Sequence, residues 1–274
     1  MLPSLREVID FYGLTANKSL GQNFLLDGNI TDKIIRLSLM HQKISDFNKF
    51  NIIEIGPGPG GLTRSILKAN PKSLSVIEMD SRCIQIMQDL KNECDCPLNI
   101  INTDALTYNT SSLCSSPRQI ISNLPYNISV PLLIKWLTEI KEYSALTLMF
   151  QKEVAERITA STCCKDYGRV SVIAQLTCNI QKLMDLNPEC FTPAPKIWSS
   201  VLLFTPLPQA ISAQEINKIE KITALAFGQR RKMMRQSLKS INDISSKLEQ
   251  SGIKETMRAE EVTPQQFFAL SKLI

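Results

Sequence analysis

A glycine-rich turn in the segment 54–61 has the spacing of a ligand-binding loop. Gly56, Gly58 and Gly61 fit the pattern G-x-G-x-x-G between an apolar run and an amphipathic one. Glycine lets the backbone turn sharply and approach a ligand, and a helix that begins there supplies unpaired N–H groups. Glu78 follows at roughly 20 residues, where an acidic side chain can bind a ribose hydroxyl pair. This spacing predicts a cofactor that contains adenosine.

Two more acidic residues bear on which cofactor this is. A dinucleotide would require the loop to hold a pyrophosphate, whereas with S-adenosylmethionine the loop would pack against the methionine part. Glu54 extends the turn to E-x-G-x-G-x-G, a form common among methyltransferases. Asp104 follows a third predicted strand, and it either accepts the adenine amino group or caps the next helix. Both interpretations of Asp104 stay open at this point.

The segment 123–126, with the sequence NLPY, puts an amide, a rigid bend and an aromatic ring directly after an apolar stretch. The apolar residues predict a buried strand, and asparagine and proline would end it. This combination is unusual for a plain turn. An ordinary loop with Tyr126 packed on the core would give the same pattern, so the segment alone does not decide between a turn and a site.

Strand-like and helix-like stretches alternate around these residues. The predicted strands are 51–56, 73–80, 98–106, 118–123 and 144–151, and the predicted helices between them are 60–70, 81–91 and 129–140. Such alternation predicts an α/β fold with a parallel sheet and helices on both faces. Residues 177–186 and 198–206 predict two further strands that could pair as an antiparallel edge.

The chain is predicted to divide near residue 207. Residues 205–210 contain two prolines, which is typical of a linker, and residues 213–241 have helical periodicity. We therefore predict an α/β domain over 1–207 and a small helical domain over 208–274.

Most of the excess positive charge lies after this linker. The net charge is +5, and residues 209–274 hold 11 basic against 7 acidic side chains. The segment 230–239 has five basic residues and no acidic one. Such a cluster is either a solvated helix face or a contact surface for phosphates.

The composition argues against several classes of protein. Hydrophobic residues make up 43% and charged residues 21% of the 274, as in a globular protein, and no apolar run is long enough to cross a bilayer. His41 is the only histidine, and the eight cysteines include no C-x-x-C pair. A structural zinc site and a catalytic triad are therefore not expected. With reduced thiols and no evident signal peptide, we expect a cytoplasmic protein without membrane contact.

Taken together, these motifs resemble those of the ribosomal RNA adenine N6,N6-dimethyltransferases. The similar segments occur in that family's order: 19–27, 54–63, 76–80, 121–129, 150–158, 167–172, 191–201 and 226–238. The similarity is closest to the small-subunit members, which dimethylate two adjacent adenines in a hairpin loop near the RNA 3′ end. It implies a Rossmann-like class I methyltransferase sheet, S-adenosylmethionine as cofactor, and the small ribosomal subunit with its rRNA as partner. We expect a monomer with a role in subunit biogenesis.

The resemblance also implies roles for individual residues. Cofactor contacts would come from Asn23, Leu25, Gly56, Gly58, Glu78, Asp104 and Asn123. Catalytic positions would be Asn123, Leu124, Pro125, Tyr126 and Phe191. Contacts with the RNA backbone would come from Arg230, Arg231, Lys232 and Arg235. Without the family, Phe191 could equally be a core residue.

The family's chemistry explains why these side chains suit the reaction. The adenine amine is a poor nucleophile because its lone pair is conjugated with the ring. The Asn123 amide oxygen and the Leu124 carbonyl could accept its two hydrogens and favour a pyramidal nitrogen. Pro125 would fix the bend, and Tyr126 and Phe191 would wall a slot for a base that is unpaired or flipped out. Base–aromatic stacking contributes about 1–3 kcal/mol.

Four alternatives fit parts of the pattern. A large-subunit adenine methyltransferase shares the cofactor loop, but Leu124 and the segments 191–196 and 229–232 favour the small-subunit type. A DNA adenine methyltransferase would need a target-recognition domain, and a nicotinamide dehydrogenase would leave NLPY unexplained. An RNA-binding factor with an inactive methyltransferase fold is disfavoured by the intact NLPY motif and Glu78. Departures from the family's usual residues occur at Thr103, Ile197, Gly228, Met233, Met234 and Gln236.

Overall fold

The computed structural model describes residues 3–17, 21–209 and 211–274. Two sequence segments discussed above extend beyond these ranges: Ser19 and Leu20, at the start of 19–27, and Ala210, at the end of the predicted linker, lie outside the described residues.

The described residues form strands and helices that follow one another along the chain. The strands are β1 (Phe24–Leu25), β2 (Asn51–Ile55), β3 (Ser73–Glu78), β4 (Leu98–Asn102), β5 (Arg118–Asn123), β6 (Ala145–Gln151), β7 (Cys178–Leu186), β8 (Phe191–Thr192) and β9 (Ser199–Pro206). The helices are α1 (Leu5–Phe11), α2 (Gly28–Gln42), α3 (Gly61–Lys68), α4 (Ser81–Asn92), α5 (Tyr126–Thr138), α6 (Lys152–Thr159), α7 (Arg169–Thr177), α8 (Ala213–Gly228), α9 (Met234–Ser237), α10 (Ile244–Gln250) and α11 (Pro264–Ser271).

The large sheet has seven strands within the described ranges, in the order β4-β3-β2-β5-β6-β9-β7. The five strands from β4 to β6 are parallel, and β9 pairs antiparallel with β6. The α/β prediction is therefore confirmed, and the two strands predicted at the edge, β7 and β9, are neighbours. Strand order reverses between β2 and β5, which is the point where open α/β sheets bind ligands.

The central strands are buried on both faces. All five residues of β2 are buried, and Ile52, Ile53 and Ile120 have no exposed surface. Strands covered by helices on both sides read as nearly continuous apolar runs, which is why the sequence located them well. This burial fixes the register of the sheet, and so it fixes the positions of the loops at its carboxyl end.

Two boundaries at that end differ from the sequence-based expectation. β4 ends at Asn102 rather than at 106, because the chain turns there and the Asp104 side chain accepts a hydrogen bond from the Leu106 amide at 2.8 Å. α5 begins at Tyr126, directly after Pro125, rather than at 129. Proline is favoured at a helix start because its missing N–H is not needed there.

The helical pattern predicted over 213–241 is interrupted. α8 ends at Gly228, and α9 begins only at Met234. The chain between them turns, and a β-bridge joins Met233 to Arg258. The basic segment 230–239 is therefore not one continuous helix face.

By backbone contacts the chain forms two compact units. One comprises Met1–Leu132, Glu142–Lys152 and Gln181–Thr205, and the other comprises Leu133–Lys141, Glu153–Ile180 and Pro206–Ile274. In the second unit the ring of Phe227 packs between those of Tyr167 and Phe267, with centroids 5.8 Å apart in each pair. The functional division near residue 207 stays a prediction.

Two further kinds of feature are absent from the described ranges. No helix there is long and apolar enough to cross a membrane. No group of three or more His, Cys, Asp or Glu side chains there could hold a metal ion.

Candidate active site

A cavity of about 260 Å³ opens at the carboxyl ends of β2, β3, β4 and β5. It lies where the strand order reverses, as expected for a ligand site in this fold. The residues predicted from sequence that line it are Asn23, Leu25, Gly56, Gly58, Glu78, Asp104, Asn123, Leu124, Pro125 and Tyr126. The structure thus brings together five separate segments of the chain.

Two glycines of the turn make room for the segment 21–25. Gly58 has φ +54°, and a Cβ there would lie 3.0 Å from the Phe24 ring. A Cβ on Gly61 would lie 2.2 Å from the Leu25 carbonyl oxygen. The glycines therefore let this segment pack against the turn, in addition to leaving backbone accessible to a cofactor.

Glu78 ends β3 with its carboxylate held by backbone amides. Oε1 accepts hydrogen bonds from the Met79 and Asp80 amides, both at 2.8 Å, and Oε2 accepts one from the Gly58 amide at 3.3 Å. Burial raises the pKa of Glu78, and these hydrogen bonds oppose the rise. Because a carboxylate offers about four lone-pair sites, Glu78 can also accept hydrogen bonds from ribose hydroxyls.

Asp104 lines the cavity and also stabilises the turn after β4. Its Oδ1 accepts the hydrogen bond from the Leu106 amide, and its carbonyl accepts one from the Tyr108 amide at 3.1 Å. The side chain therefore stabilises a local turn and not the helix start considered above, since the next helical turn, Thr110–Ser112, is capped by Asn109. The contact with the adenine amino group stays a prediction.

Glu54 is a site residue that the sequence reasoning did not assign. Its side chain lines the cavity, is 1% exposed, and has an Oε2 without a hydrogen-bond partner among the described residues. Burial raises the pKa of Glu54 to about 8, with a further rise from the Glu78 carboxylate and a decrease from Thr63. A buried carboxyl oxygen without a partner is costly unless a ligand donates a hydrogen bond to it. An acidic residue inside an otherwise apolar strand was the available signal.

Asn123 is oriented by the segment 21–25. Its Nδ2 donates a hydrogen bond to the Asn23 carbonyl oxygen at 3.1 Å. Because the amide nitrogen is engaged there, the amide oxygen can accept from a ligand. Leu124 also lines the cavity, and the hydrogen-bond acceptor that it could offer a ligand is its backbone carbonyl.

Tyr126 begins α5 and forms a hydrogen bond to the strand β9. Its hydroxyl lies 2.5 Å from the Ser199 Oγ, at the start of β9. Burial raises the pKa of Tyr126, which keeps the phenol protonated. The hydrogen bond and the preceding Pro125 limit rotation of this ring, as a stacking surface requires.

Phe191 lies outside the described lining of this cavity. It is 4% exposed, pairs with Leu25 in the β1–β8 ladder, and belongs to the hydrophobic core. The structure therefore places it beside the segment 21–25, which is predicted to contact the cofactor. Its predicted role as the second wall of the base slot stays a prediction.

A sequence model of the family "Ribosomal RNA adenine dimethylase" matches residues 13–274. The chain belongs to this family. A Rhodospirillum rubrum protein named "Ribosomal RNA small subunit methyltransferase A" is 44% identical over 100% of this chain and 93% of its own length. A protein of the same name from Wolbachia pipientis is 47% identical over 95% of this chain and 97% of its own.

Solved structures confirm the fold of this dimethylase. A dimethyladenosine transferase from Plasmodium falciparum is similar with a TM-score of 0.74, at 23% identity, over 89% of this chain and 94% of that one. The 23S rRNA methyltransferase ErmE is similar with a TM-score of 0.67, at 20% identity, over 91% and 98%. The predicted class I methyltransferase fold is therefore correct.

A dimethylase of this family uses S-adenosylmethionine, and the cavity fits that cofactor. Glu78 suits the ribose hydroxyls. The methionine part carries an ammonium and a sulfonium group, and the Glu54 Oε2, which has no hydrogen-bond partner among the described residues, lies in the same cavity. The fit rests on these two carboxyl groups as hydrogen-bond acceptors for the ribose and the ammonium.

Two of the four predicted RNA-contacting residues of the dimethylase already form ion pairs. Arg230 Nε lies 2.8 Å from Glu260 Oε2, and Arg235 Nη1 lies 3.3 Å from Glu255 Oε2. A phosphate would have to compete with these carboxylates for the guanidinium groups.

Arg231 and Lys232 differ from these two residues. Both are exposed, and no carboxylate in the described part of the chain forms an ion pair with either. Of the four predicted RNA contacts, this pair is therefore better placed to neutralise phosphates.

Proposed function

We propose that this dimethylase methylates N6 of two adjacent adenines, twice each, in a hairpin loop near the 3′ end of small-subunit rRNA. Relatives named for the small subunit, 42% to 47% identical over nearly the whole chain, support the proposal. We further propose that the substrate is the rRNA within a small ribosomal subunit. The protein would act in the cytoplasm, as a monomer, during subunit biogenesis.

The orientation of the Asn123 amide carries this proposal. Its nitrogen is held by the Asn23 carbonyl, so its oxygen and the Leu124 carbonyl are two acceptors at one strand end. An adenine amine has two N–H hydrogens to donate. Accepting both favours a pyramidal nitrogen whose lone pair is no longer spread into the ring, and this makes the amine a better nucleophile.

The remaining residues position the base rather than exchange protons with it. The cofactor, when bound, supplies an electrophilic methyl group on a positively charged sulfur. Tyr126 stacks on the adenine and Pro125 fixes the backbone bend beside it, so catalysis rests on orientation and electrostatics. The methylated amine is cationic and can release its proton to water. His41, the only histidine, is exposed on α2, consistent with a reaction that needs no strong base.

The decisive experiment uses small subunits from cells that lack this dimethylase. They are incubated with the protein and methyl-labelled S-adenosylmethionine, in parallel with undermethylated large-subunit RNA. The RNA is digested and its modified nucleosides are identified by mass. We expect N6,N6-dimethyladenosine in the small subunit only.

Two other outcomes would contradict the proposal in different ways. Label in the large-subunit RNA would assign the protein to the other substrate class. No label in either RNA, with labelled cofactor bound to the protein, would indicate an RNA-binding factor that has lost the reaction.

A further inference from the structure

Trp198 occupies a position beside the proposed base slot. It immediately precedes Ser199, whose hydroxyl holds Tyr126, and Ser199 pairs with Gln151 at the end of β6. The Lys152 amide donates a hydrogen bond to the Trp198 carbonyl at 2.8 Å. The backbone of Trp198 is therefore fixed to the same strand ends that position the catalytic tyrosine.

The Trp198 side chain is exposed although its backbone is held. It is 47% exposed, whereas Trp136 is 0% exposed. The Lys152 Nζ lies 5.7 Å from the centroid of the Trp198 ring, within the range of a cation–π contact. Leaving a large aromatic surface in water is unfavourable, so folding gains little from this ring. A planar surface beside a cation is the combination that binds an unpaired nucleotide.

We propose that Trp198 and Lys152 form a stacking site for an unpaired base next to the target adenine, with Lys152 pairing with a nearby phosphate. The inference rests on the proposed RNA substrate. A target that must leave its stack lies in an unpaired loop, so its neighbours also present free ring faces. Stacking does not depend on base identity, and the site would therefore hold the loop in place rather than select its sequence.

The chain supplies its own reporter for this site. It has two tryptophans, and Trp198 is the exposed one. Titration of the wild-type protein with a short unpaired oligoribonucleotide should quench tryptophan fluorescence. Trp198→Phe should bind the RNA with little loss but without the quenching, because phenylalanine still stacks.

Removal of the ring should weaken RNA binding. We expect Trp198→Ala to raise the Kd for the oligoribonucleotide about 5- to 150-fold, the ratio that corresponds to one base–aromatic stack. The KM for small subunits should rise with little change in kcat. Lys152→Ala keeps the backbone hydrogen bond, and it should lower the salt dependence of binding. Phe11→Ala, which removes a ring that is 83% exposed elsewhere on the surface, is the matched control and should leave the Kd unchanged.

The outcomes separate this site from the proposed function. One outcome refutes the stacking site while the function stands. In it, the wild type methylates small subunits, RNA does not quench its fluorescence, and Trp198→Ala binds RNA as tightly as the wild type. A higher KM for subunits without any effect on the oligoribonucleotide also overturns it, and would indicate a contact with a ribosomal protein. If the wild type methylates no RNA, the proposed function itself fails.

Discussion

Glu54 and Glu78 face the same cavity but are held in opposite ways. Three backbone amides donate to the Glu78 carboxylate, whereas Glu54 Oε2 has no partner among the described residues. Both pKa values are raised by burial. Glu54 Oε2 is therefore a buried acceptor that a hydrogen-bond donor on a ligand can satisfy.

Replacing Glu54 should change how stability depends on pH. An unfolded Glu54 ionises near pH 4.5, whereas the folded protein retains that proton until about pH 8. Because the folded state binds more protons in this window, wild-type stability should fall as pH rises from 4.5 to about 8 and then level off. Glu54→Gln should remove that fall, on the order of a few kcal/mol in the free energy of unfolding.

Denaturant unfolding at the two ends of that window measures this effect. Exposed Glu249→Gln is the control, and its stability should follow the wild type at both pH values. Equal pH dependence of wild type and Glu54→Gln would show that Glu54 is ionised throughout.

Asn123→Ala should separate RNA binding from reaction. Loss of an oriented polar group that acts in the transition state typically costs about 10²–10³ in rate. We expect that loss in single-turnover methyl transfer, with RNA affinity retained. Exposed Asn92→Ala should react as the wild type does. Unchanged turnover in Asn123→Ala would exclude the proposed geometry at N6.

Tyr126 offers a test of stacking against hydrogen bonding. Tyr126→Phe and Ser199→Ala each remove the bond between the two hydroxyls but keep the ring, so both should retain most methyl transfer. Tyr126→Ala removes the ring and should lose about 1–3 kcal/mol of base binding. Methyl-transfer kinetics on small subunits compare the three variants. Equal losses in all three would mean that the hydroxyl, rather than the ring, is the functional group.

At the level of elements, the packing of the glycine turn against the segment 21–25 decides whether the cavity exists. Gly61→Ala places a Cβ 2.2 Å from the Leu25 carbonyl oxygen, which is too close for either atom to stay in place. Overpacking of this kind costs about 1–3 kcal/mol, and cofactor affinity should fall with it because the segment is displaced. Calorimetric titration with S-adenosylmethionine measures the affinity. Gly228→Ala, where a Cβ meets nothing within 4 Å, is the control and should bind normally.

The sequence predicts those elements in which burial produces a recognisable pattern of apolar residues. The strands β2, β3 and β5 were found because each is centred on a pair of buried apolar residues, at 52–53, 76–77 and 120–121. The two-residue strands β1 and β8 were not found, since so short a ladder has no period to detect. Their pairing joins Leu25 to Phe191, two residues far apart in the chain. The burial of Phe191 therefore could not be deduced from its neighbours in sequence.

The break after α8 has a similar origin. Residues 229–233 look helical by composition, but α8 ends at Gly228, and the Met234 amide donates to the Met257 carbonyl at 2.7 Å. A distant backbone contact overrides local helix propensity here. The cavity-lining glycines and Glu78 were predictable because motif spacing encodes them, whereas Glu54 required the structure to show that its Oε2 has no partner among the described residues.

For the molecule as a whole, positive charge should govern affinity for RNA more than its selectivity. Phosphate contacts position a nucleic acid and carry no sequence information directly. Substrate choice should therefore depend on the shape of the ribosomal subunit and on a few unpaired bases.

Charge reversal at Arg231 and Lys232 tests this expectation. The double change to Glu should weaken RNA binding. It should also reduce the slope of the logarithm of the binding constant against the logarithm of salt concentration, by about 0.7–0.9 for each phosphate that the protein no longer neutralises. Lys218→Glu with Lys221→Glu on α8 makes the same change in net charge and should have a smaller effect on the slope. RNA affinity measured over a range of salt concentrations compares them. Equal slopes for the two double variants would remove the special role of the 230–235 region.

The hydrogen bond from Asn123 to the Asn23 carbonyl has a consequence for inhibitor design. A compound that wedges between these two residues would let the amide rotate, and it would leave Glu78, the predicted ribose contact, untouched. Such a compound would inhibit without having to mimic adenosine, which many unrelated cellular enzymes also bind. Selectivity would then come from the short segment around Asn23 rather than from the nucleotide fold.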